Sequence, residues 1–322
     1  MKLPRRRVLY LAAGAAALPR VASALDYPTR PVRIIVGFAP GGATSIWARL
    51  IGQWLSERLG QQFIVENRPG AASNIAAEAA VRAPADGYTL LLVAPYAAFN
   101  ATLYDNLSFN FLRDIVPIGG IMRAPNVMVV NLEVPAKTIP EFITYAKANP
   151  GKISMATSGN GTTQQIFGEM FNMMAGVKLT AVAYRGGAPA MLDLLAGQVQ
   201  VEFAPMSEAI GYIRAGKVRA LGITSAVRLE SMPDLPTIGD FLPGYEATAW
   251  YGVGAPKGTP AEIIEKLDHE INAGLTDATI KERLADLGGA PLPLTAAEFS
   301  KLIADETEKW AKVIRAANIK PE

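Results

Sequence analysis

The sequence predicts an α/β protein with two lobes, each a doubly wound, mainly parallel sheet flanked by helices, with a ligand cleft between the lobes. Three observations predict this class. Short apolar runs alternate with helical patterns, and the alternation restarts near the middle of the chain. A loop rich in glycine, serine and threonine separates a strand from a helix once in each half. The chain has 322 residues, enough for two domains of ordinary size.

In the first half, strand and helix patterns follow one another closely. The apolar run VRIIVGF (32–38) predicts a buried strand, and the next pattern predicts a helix that ends at Gly60. Further patterns predict a strand over 62–67, a helix over 71–83 and a strand over 88–94. A strand–helix–strand spacing of roughly 30 residues indicates parallel pairing through right-handed crossovers.

The second half repeats this order without an obvious sequence repeat. The segment 152–176 predicts a strand, a loop and a helix, and the remaining patterns alternate over 179–184 (strand), 188–197 (helix), 199–204 (strand), 207–216 (helix) and 218–224 (strand). The proline-rich passage 231–250 predicts irregular chain that crosses between the two units. Two late helices are expected, one with Ile263, Leu267 and Ile271 on its apolar stripe and one over 296–317.

Residues 1–24 predict a cleaved export signal. Lys2 and three arginines precede an apolar run over 8–18, and Ala22-Ser23-Ala24 supplies an A-x-A cleavage pattern. The apolar run is too short to span a bilayer comfortably. Arg5-Arg6 suits the twin-arginine (Tat) route, and the segment fits the general (Sec) route as well. We therefore expect a mature protein outside the cytoplasm.

Composition excludes several functional classes. Without the five basic residues of 1–24, the 31 basic residues of the chain become 26 against 29 acidic ones, a net charge of −3. The basic character therefore belongs to the leader and gives no support for nucleic-acid binding. The chain has no cysteine, which excludes disulfides, thiolate nucleophiles and thiolate metal sites.

Catalytic candidates are few. The single histidine, His269, is predicted to point away from the apolar stripe of its helix, so neither a Ser-His-Asp triad nor a histidine metal site is expected. A lysine base or a pair of carboxylates stays open. Asp105, Asp114 and Glu208 are expected to be solvated, whereas Glu202 interrupts the buried-looking strand VQVEFA and needs a partner. No metal ion or cofactor is expected.

Two loops carry the strongest functional indication. Each follows a strand and precedes a helix, the position where open parallel sheets bind ligands, although either loop alone could be a tight turn. Neither matches a phosphate-binding or dinucleotide-binding motif, and no lysine follows the glycines. Glycines allow close approach, and free N–H groups at a helix start attract an anion. If the units face each other, two such helix starts suit a small acid with two carboxylates, or with one carboxylate and a polar far end.

Several stretches resemble one family, the tripartite tricarboxylate transporter substrate-binding proteins, also called the Bug family. The motifs are APGG (39–42), ENRPGA (66–71) and DGYTLL (86–91), in that order, and the resemblance covers nearly all of the chain after residue 25. It implies a type II-like periplasmic-binding-protein fold that closes by a hinge. Lobe 1 would comprise 25–124 and 248–322, and lobe 2 would comprise 125–247.

The resemblance also implies a role and a set of ligand-binding residues. A monomer would capture a small organic acid in the periplasm and deliver it to a membrane permease, holding it largely through backbone amides and waters of the two loops. The implied residues of the loops are Phe38, Ala39, Pro40, Gly41, Gly42, Thr44, Ser45, Ser158, Gly159, Gly161, Thr162 and Thr163.

This chain departs from many relatives at three positions. Ser45 and Ala204 stand where relatives often have an acid, and Gln165 stands where many have a histidine. The expected ligand is a di- or tricarboxylate or an aromatic carboxylate, and loss of the acids is expected to disfavour an amino acid and to favour a less polar dicarboxylate or an aromatic acid. Tyr96 and Tyr184, with Phe38 and Phe99, are aromatic candidates for the cleft or for the core. Alternative roles are a ligand-sensing partner of a membrane signalling receptor and a hydrolase or isomerase.

Overall fold

The computed structural model describes residues 26–320, so the predicted export signal (1–24) lies outside the described residues. The first half follows the predicted order, with strands β1 (Val32–Val36), β2 (Phe63–Asn67) and β3 (Thr89–Val93) and helices α1 (Ala43–Leu59) and α2 (Asn74–Val81). The strands pair in parallel, as predicted, and their order in the sheet is β2-β1-β3. Because these parallel strands lie side by side, the end of β1 opens directly into the first glycine loop.

Helix α1 owes its ends to glycines and its position to buried side chains. Gly42 precedes its first turn, and Gly60 ends it in a left-handed conformation (φ 70°) whose N–H donates to the Ser56 carbonyl. Trp47 and Ile51 on its inner face are almost completely buried. Burial of each such side chain contributes on the order of 2 kcal/mol, which fixes the start of α1 against the sheet.

A long strand joins the two halves. After two short helices, α3 (Tyr96–Leu103) and α4 (Phe111–Asp114), the strand β4 runs over Ile115–Val130. Its first part pairs antiparallel with β9 (Thr248–Pro256), with register shifts near Gly119 and Gly120. Its last part pairs antiparallel with two strands of the second half.

The second half contains the predicted alternation. Its elements are α5 (Ile139–Ala148), β5 (Ser154–Thr157), α6 (Thr163–Ala175), β6 (Thr180–Ala183), α7 (Gly187–Leu195), β7 (Val201–Pro205), α8 (Met206–Arg214) and β8 (Arg219–Ile223). Strands β7, β5 and β6 are parallel, whereas β7 and β8 pair antiparallel with β4. The sheet order is β2-β1-β3-β9-β4-β7-β5-β6, so the two predicted units share β4.

The proline-rich passage is only partly irregular. A 3₁₀ turn at Ile238–Asp240 is capped by Thr237, but the end of the passage, from Thr248, belongs to β9. The prediction of irregular chain up to residue 250 was therefore wrong at its end. Strand β9 lies between β3 and β4 and pairs antiparallel with both, so its conformation depends on partners that are distant in sequence.

The carboxyl-terminal segment packs across both halves. It comprises α9 (Ala261–Thr276), α10 (Ala278–Asp286), the short strand β10 (Ala290–Pro291) and α11 (Ala296–Ala316). On α11 the buried Trp310 stacks on Phe167 of α6 (5.1 Å between ring centroids) and meets Phe99 of α3 edge-on (5.5 Å). Phe99 is therefore a core residue. Within residues 26–320, no helix is long and apolar enough to cross a membrane.

Candidate functional site

Five helices begin at the walls of one small cavity. Residues at or next to the starts of α1, α3, α6, α7 and α8 enclose about 40 Å³, room for a few water molecules. We call this cavity the inner cleft. Its lining residues are Phe38, Ala39, Gly42, Ala43, Thr44, Ala94, Pro95, Tyr96, Ser158, Thr162, Thr163, Gln164, Gly186, Gly187, Pro205, Glu208 and Tyr251.

A larger cavity of about 600 Å³, which we call the outer cleft, adjoins the inner cleft. The two share Phe38, Ala39, Ser158, Thr162 and Gly186 as common walls. The outer cleft is also lined by 69–72 and 183–185, which include Arg185. Its volume is within the range of small-molecule sites, so a ligand with one end in the inner cleft has room to extend outward.

The predicted binding residues divide into three groups. The inner cleft contains eight of them: Phe38, Ala39, Gly42, Thr44, Tyr96, Ser158, Thr162 and Thr163. Gly159 and Tyr184 line the outer cleft. Pro40, Gly41, Ser45, Gly161 and Ala204 line neither cavity. The structure thus brings the two loops together and places some of their residues behind the binding surface.

Ser45 supports the first loop from behind. It is 1% exposed, and its hydroxyl accepts a hydrogen bond from Asn67 Nδ2 (2.7 Å) and donates to the Ala39 carbonyl (3.4 Å). Asn67 Nδ2 also donates to the Phe38 carbonyl (2.7 Å). The residue at position 45 therefore holds the loop backbone in place, because its side chain points into this hydrogen-bonded group.

Gln165 has the same function in the second loop. Its Oε1 accepts from the Gly161 N–H (2.7 Å), so that amide is already paired within the protein. Gly161 has φ 73°, and an added Cβ would lie 2.8 Å from Leu103 Cδ1. Ala204 is fully buried in β7, opposite Val127 of β4. Gly161 and Ala204 are thus structural in the described molecule.

The side chains of the second loop are ordered around Gln164. Ser158 Oγ donates to Gln164 Oε1 (2.9 Å), and Thr163 Oγ1 lies 3.3 Å from the same oxygen. Asn126 Nδ2, from the shared strand β4, donates to Thr163 Oγ1 (3.2 Å). Hydroxyl and amide groups at the start of α6 are therefore preorganised, as a specific polar site requires.

The aromatic candidates differ in what they offer. Tyr96 donates its hydroxyl to the Leu92 carbonyl (2.9 Å), and its ring lies 5.2 Å from that of Phe38, so the pair presents ring surface to the inner cleft. Tyr184 donates to Asp193 Oδ2 (2.7 Å) at the wall of the outer cleft. Burial, helped by Asp193, raises the pKa of Tyr184 to about 12.

Glu208 is the site residue that sequence reasoning missed. It was expected to be solvated, but it lines the inner cleft, and its Oε1 accepts a hydrogen bond from the Ala43 N–H (2.6 Å). The two residues are 165 positions apart, so no local pattern could reveal the contact. The inner cleft therefore contains a carboxyl group, although positions 45 and 204 carry none.

The other acidic candidates differ in their exposure to solvent and in their pairing. Asp105 is exposed, and Asp114 is paired with Arg113, which lowers the Asp114 pKa to about 2. Glu202 is fully buried, and neither of its carboxyl oxygens has a hydrogen-bond partner within residues 26–320. Burial first, and then the nearby Glu208, raise the pKa of Glu202 well above its ordinary value. Gln164 opposes this rise, so an amide side chain, and not the acid Glu208, supplies the favourable interaction with Glu202.

A third loop adds strained backbone to the outer cleft. Ala71, Ala72 and Ser73 all have positive φ (45°, 47° and 74°), which is uncommon for residues other than glycine. Asn100 Nδ2 holds the loop by donating to the Ala72 carbonyl (2.8 Å). An added Cβ on Gly37 would overlap Ser73 Oγ, so this glycine allows the loop to lie against the end of β1.

The arrangement of helix starts suits the binding of an anion. Each helix start carries a partial positive charge of roughly half an elementary charge, and five of them line the inner cleft. His269 is exposed, as predicted, and no group of three potential metal-binding side chains occurs within residues 26–320. A separate cavity of about 490 Å³ shares only Tyr96 with the inner cleft and includes neither loop, so it is not the predicted site.

Comparison with known proteins shows the family and the fold of the chain. Residues 47–319 match the family described as tripartite tricarboxylate transporter family receptor. A solved structure of an R. palustris protein with adipate is 35% identical and has a TM-score of 0.89, covering 92% of this chain and 100% of that one. The periplasmic binding protein BugD is 34% identical, with a TM-score of 0.87 over 92% of this chain and 100% of its own.

A further solved structure extends the range of ligands. MatC from Rhodopseudomonas palustris, described with bound malate, is 30% identical and has a TM-score of 0.84, covering 89% of this chain and 100% of that one. These likenesses confirm the expected two-lobed periplasmic-binding-protein fold.

Proposed function

The chain belongs to the tripartite tricarboxylate transporter receptor family, which is a family of solute-binding receptors and not of enzymes. From that premise we propose that the protein captures a small dicarboxylate in the periplasm. The observation that carries this proposal is the convergence of five helix starts on the inner cleft. Together they favour an anion without a cationic side chain in the lining, because helix starts attract negative charge.

The ligand class follows from the two adjoining cavities. One carboxylate would bind among the helix starts of the inner cleft, and the carbon chain would pass Phe38 and Ser158, which line both cavities. The second carboxylate would then lie in the outer cleft, which Arg185 also lines. Adipate and malate, the ligands of the two related structures, are both dicarboxylates.

Family membership and the predicted export signal support a proposal for the cellular role. Residues 1–24 would direct export by the Tat or Sec route, the mature chain would act as a monomer, and the closed, loaded form would deliver the acid to a tripartite tricarboxylate-type permease. The site residues would be the lining residues of the two clefts, with lobe boundaries near 125 and 247.

Calorimetry on the mature chain tests the ligand class. The panel should contain succinate, malate, adipate, citrate, benzoate and glutamate, with the diamide of adipate as the uncharged control. We expect at least one dicarboxylate to bind and the diamide to fail. At 100 times its dissociation constant a ligand should add about 2.7 kcal/mol to the free energy of unfolding, visible as a higher melting temperature. If no acid produces heat or a thermal shift, the proposed function is wrong.

A further inference from the structure

One side chain of the protein already sits at a helix start in the inner cleft. Glu208 lies in the first turn of α8, and its Oε1 accepts a hydrogen bond from the N–H of Ala43, the first residue of α1 (2.6 Å). That N–H is one of the donors that a helix leaves unpaired within itself. A carboxylate from the second half thus occupies a donor that a ligand carboxylate would use.

The carboxyl group of Glu208 lies between two glycines, Gly42 and Gly187. Its second oxygen, Oε2, is buried and has no hydrogen-bond partner within residues 26–320. An added Cβ on Gly187 would overlap Oε2, and one on Gly42 would lie 3.2 Å from Oε1. An alanine at position 187 would therefore take the space that Oε2 occupies, whereas an alanine at position 42 would make a tight contact with Oε1.

We propose that Glu208 is an internal substitute for the ligand's carboxylate, which holds the two halves together in the ligand-free protein and must be displaced when an acid binds. The ligand part of this inference rests on the proposed function, whereas the contact between Glu208 and Ala43 does not. Glu208 thereby sets a threshold, because only an acid that satisfies the helix starts better than Glu208 can replace it.

The electrostatic environment makes displacement measurable. Two titratable groups interact electrostatically with Glu208, namely Glu202 of β7 and Tyr251 of β9. The helices α1 and α7 present backbone and glycines to it. The cationic residue nearest to α7 in the sequence is Arg185, which precedes this helix and lines the outer cleft. Burial raises the pKa of Glu208 to about 7, against the lowering effect of the Ala43 N–H. The proposal requires the displaced side chain to reach water, where its pKa returns toward its ordinary value, so displacement near pH 7 releases protons.

The direction of proton transfer distinguishes the possibilities. Adipate binding to the mature protein should be measured by calorimetry at pH 7 in two buffers with different ionisation enthalpies. We expect release of about half a proton per adipate, because a group with a pKa near 7 is about half protonated at that pH. Glu208→Gln should abolish this release. Proton uptake would mean that Glu208 stays and donates to the ligand, and it would overturn the proposal.

Affinity supplies a second readout. Glu208→Ala should bind adipate about tenfold more tightly, because a competitor for the Ala43 N–H is gone, with an intermediate gain for Glu208→Gln. The variant Gly187→Ala keeps Glu208 but removes the space for the Glu208 carboxyl group, so this variant should also bind adipate more tightly than the wild type. Glu230→Gln, at an exposed position after β8, is the matched control and should leave affinity unchanged. Weaker binding by Glu208→Ala would contradict the inference.

A ligand-free measurement separates this inference from the proposed function. Hydrogen exchange at the Ala43 amide, followed by NMR without any acid, should be slow in the wild type and in Glu230→Gln. It should be at least about tenfold faster in Glu208→Ala, since the hydrogen bond that protects this amide is lost. Unchanged exchange overturns the inference even if adipate binds. Faster exchange without binding of any acid supports the contact and refutes the proposed function.

Discussion

Single residues in the two loops serve either the ligand or the loop itself. Ser45 and Gln165 stand out in the sequence because they depart from the pattern that the family resemblance implies, yet their side chains hold loop backbone through Asn67 and Gly161. Sequence motifs identify the loops because glycine, serine and threonine mark strand-to-helix turns. They do not show which side a side chain faces, and they could not reveal Glu208, whose partner Ala43 is 165 positions away.

Gly41 offers a test of the first loop. It has φ +93°, and a side chain at this position would meet open space, so Gly41→Val should destabilise the fold by about 1–2 kcal/mol through backbone strain alone. Gly60 has φ +70°, equally open surroundings and a place at the far end of α1, so Gly60→Val is a matched control with a similar loss of stability.

Only the Gly41 variant should also lose affinity for the acid, because strain relief would move the loop that lines the inner cleft. Thermal melts and calorimetry on both variants measure the two effects. Equal affinities in the two variants would show that the conformation of Gly41 is not required for binding.

The raised pKa of Glu208 predicts a pH dependence of stability. The folded-state pKa is about 7 and the ordinary value is 4.5, so the folded protein binds more protons between these values. Stability of the ligand-free protein should therefore fall as pH rises from about 5 to 7. Glu208→Gln should flatten this fall, leaving the part that Glu202 contributes, whereas Glu230→Gln should follow the wild type. Parallel melting curves for all three proteins would contradict the assignment.

Among the elements, the local ones were predictable and the shared strands were not. β1 to β3 and β5 to β8 are short, largely apolar runs between turn residues, which is a local property. β4 contains Pro117, Gly119, Gly120 and Pro125, residues that ordinarily interrupt strands. It forms because β9 pairs with it over the stretch that contains these residues and β7 pairs with it beyond Pro125, which only the folded chain provides.

Close packing of β4 against β9 gives an element-level prediction. An added Cβ on Gly252 of β9 would lie 2.5 Å from the Gly119 carbonyl oxygen and would overlap the Phe299 ring. Gly252→Ala should therefore destabilise the protein by about 1–3 kcal/mol. Gly211 of α8 has open space, and Gly211→Ala should stabilise by about 0.5–1 kcal/mol because alanine favours a helix. Thermal or urea unfolding measures the stability of both variants. Equal changes in the free energy of unfolding for Gly252→Ala and Gly211→Ala would refute the packing argument.

At the scale of the whole molecule, the two halves are connected by the polypeptide chain itself and by noncovalent contacts. β4 passes through both, Trp310 of α11 stacks on Phe167 of α6, and Glu208 bonds to Ala43 across the inner cleft. The sequence predicted two lobes because the strand–helix pattern restarts, but a restart carries no information on how they join. Of these connections, the Glu208 contact is the one that a ligand can replace.

This leads to a prediction for the distance between the halves. The chain has no cysteine, so Arg49→Cys and Glu230→Cys, at exposed positions of α1 and of the segment after β8, give one spin-label pair. The ligand-free distance should lengthen when Glu208→Ala is added, because the bond to Ala43 that connects the halves is lost. Adipate should shorten it again in both proteins, since the acid bridges the same helix starts. An identical ligand-free distribution with and without Glu208→Ala would show that β4 and Trp310 hold the halves together without this contact.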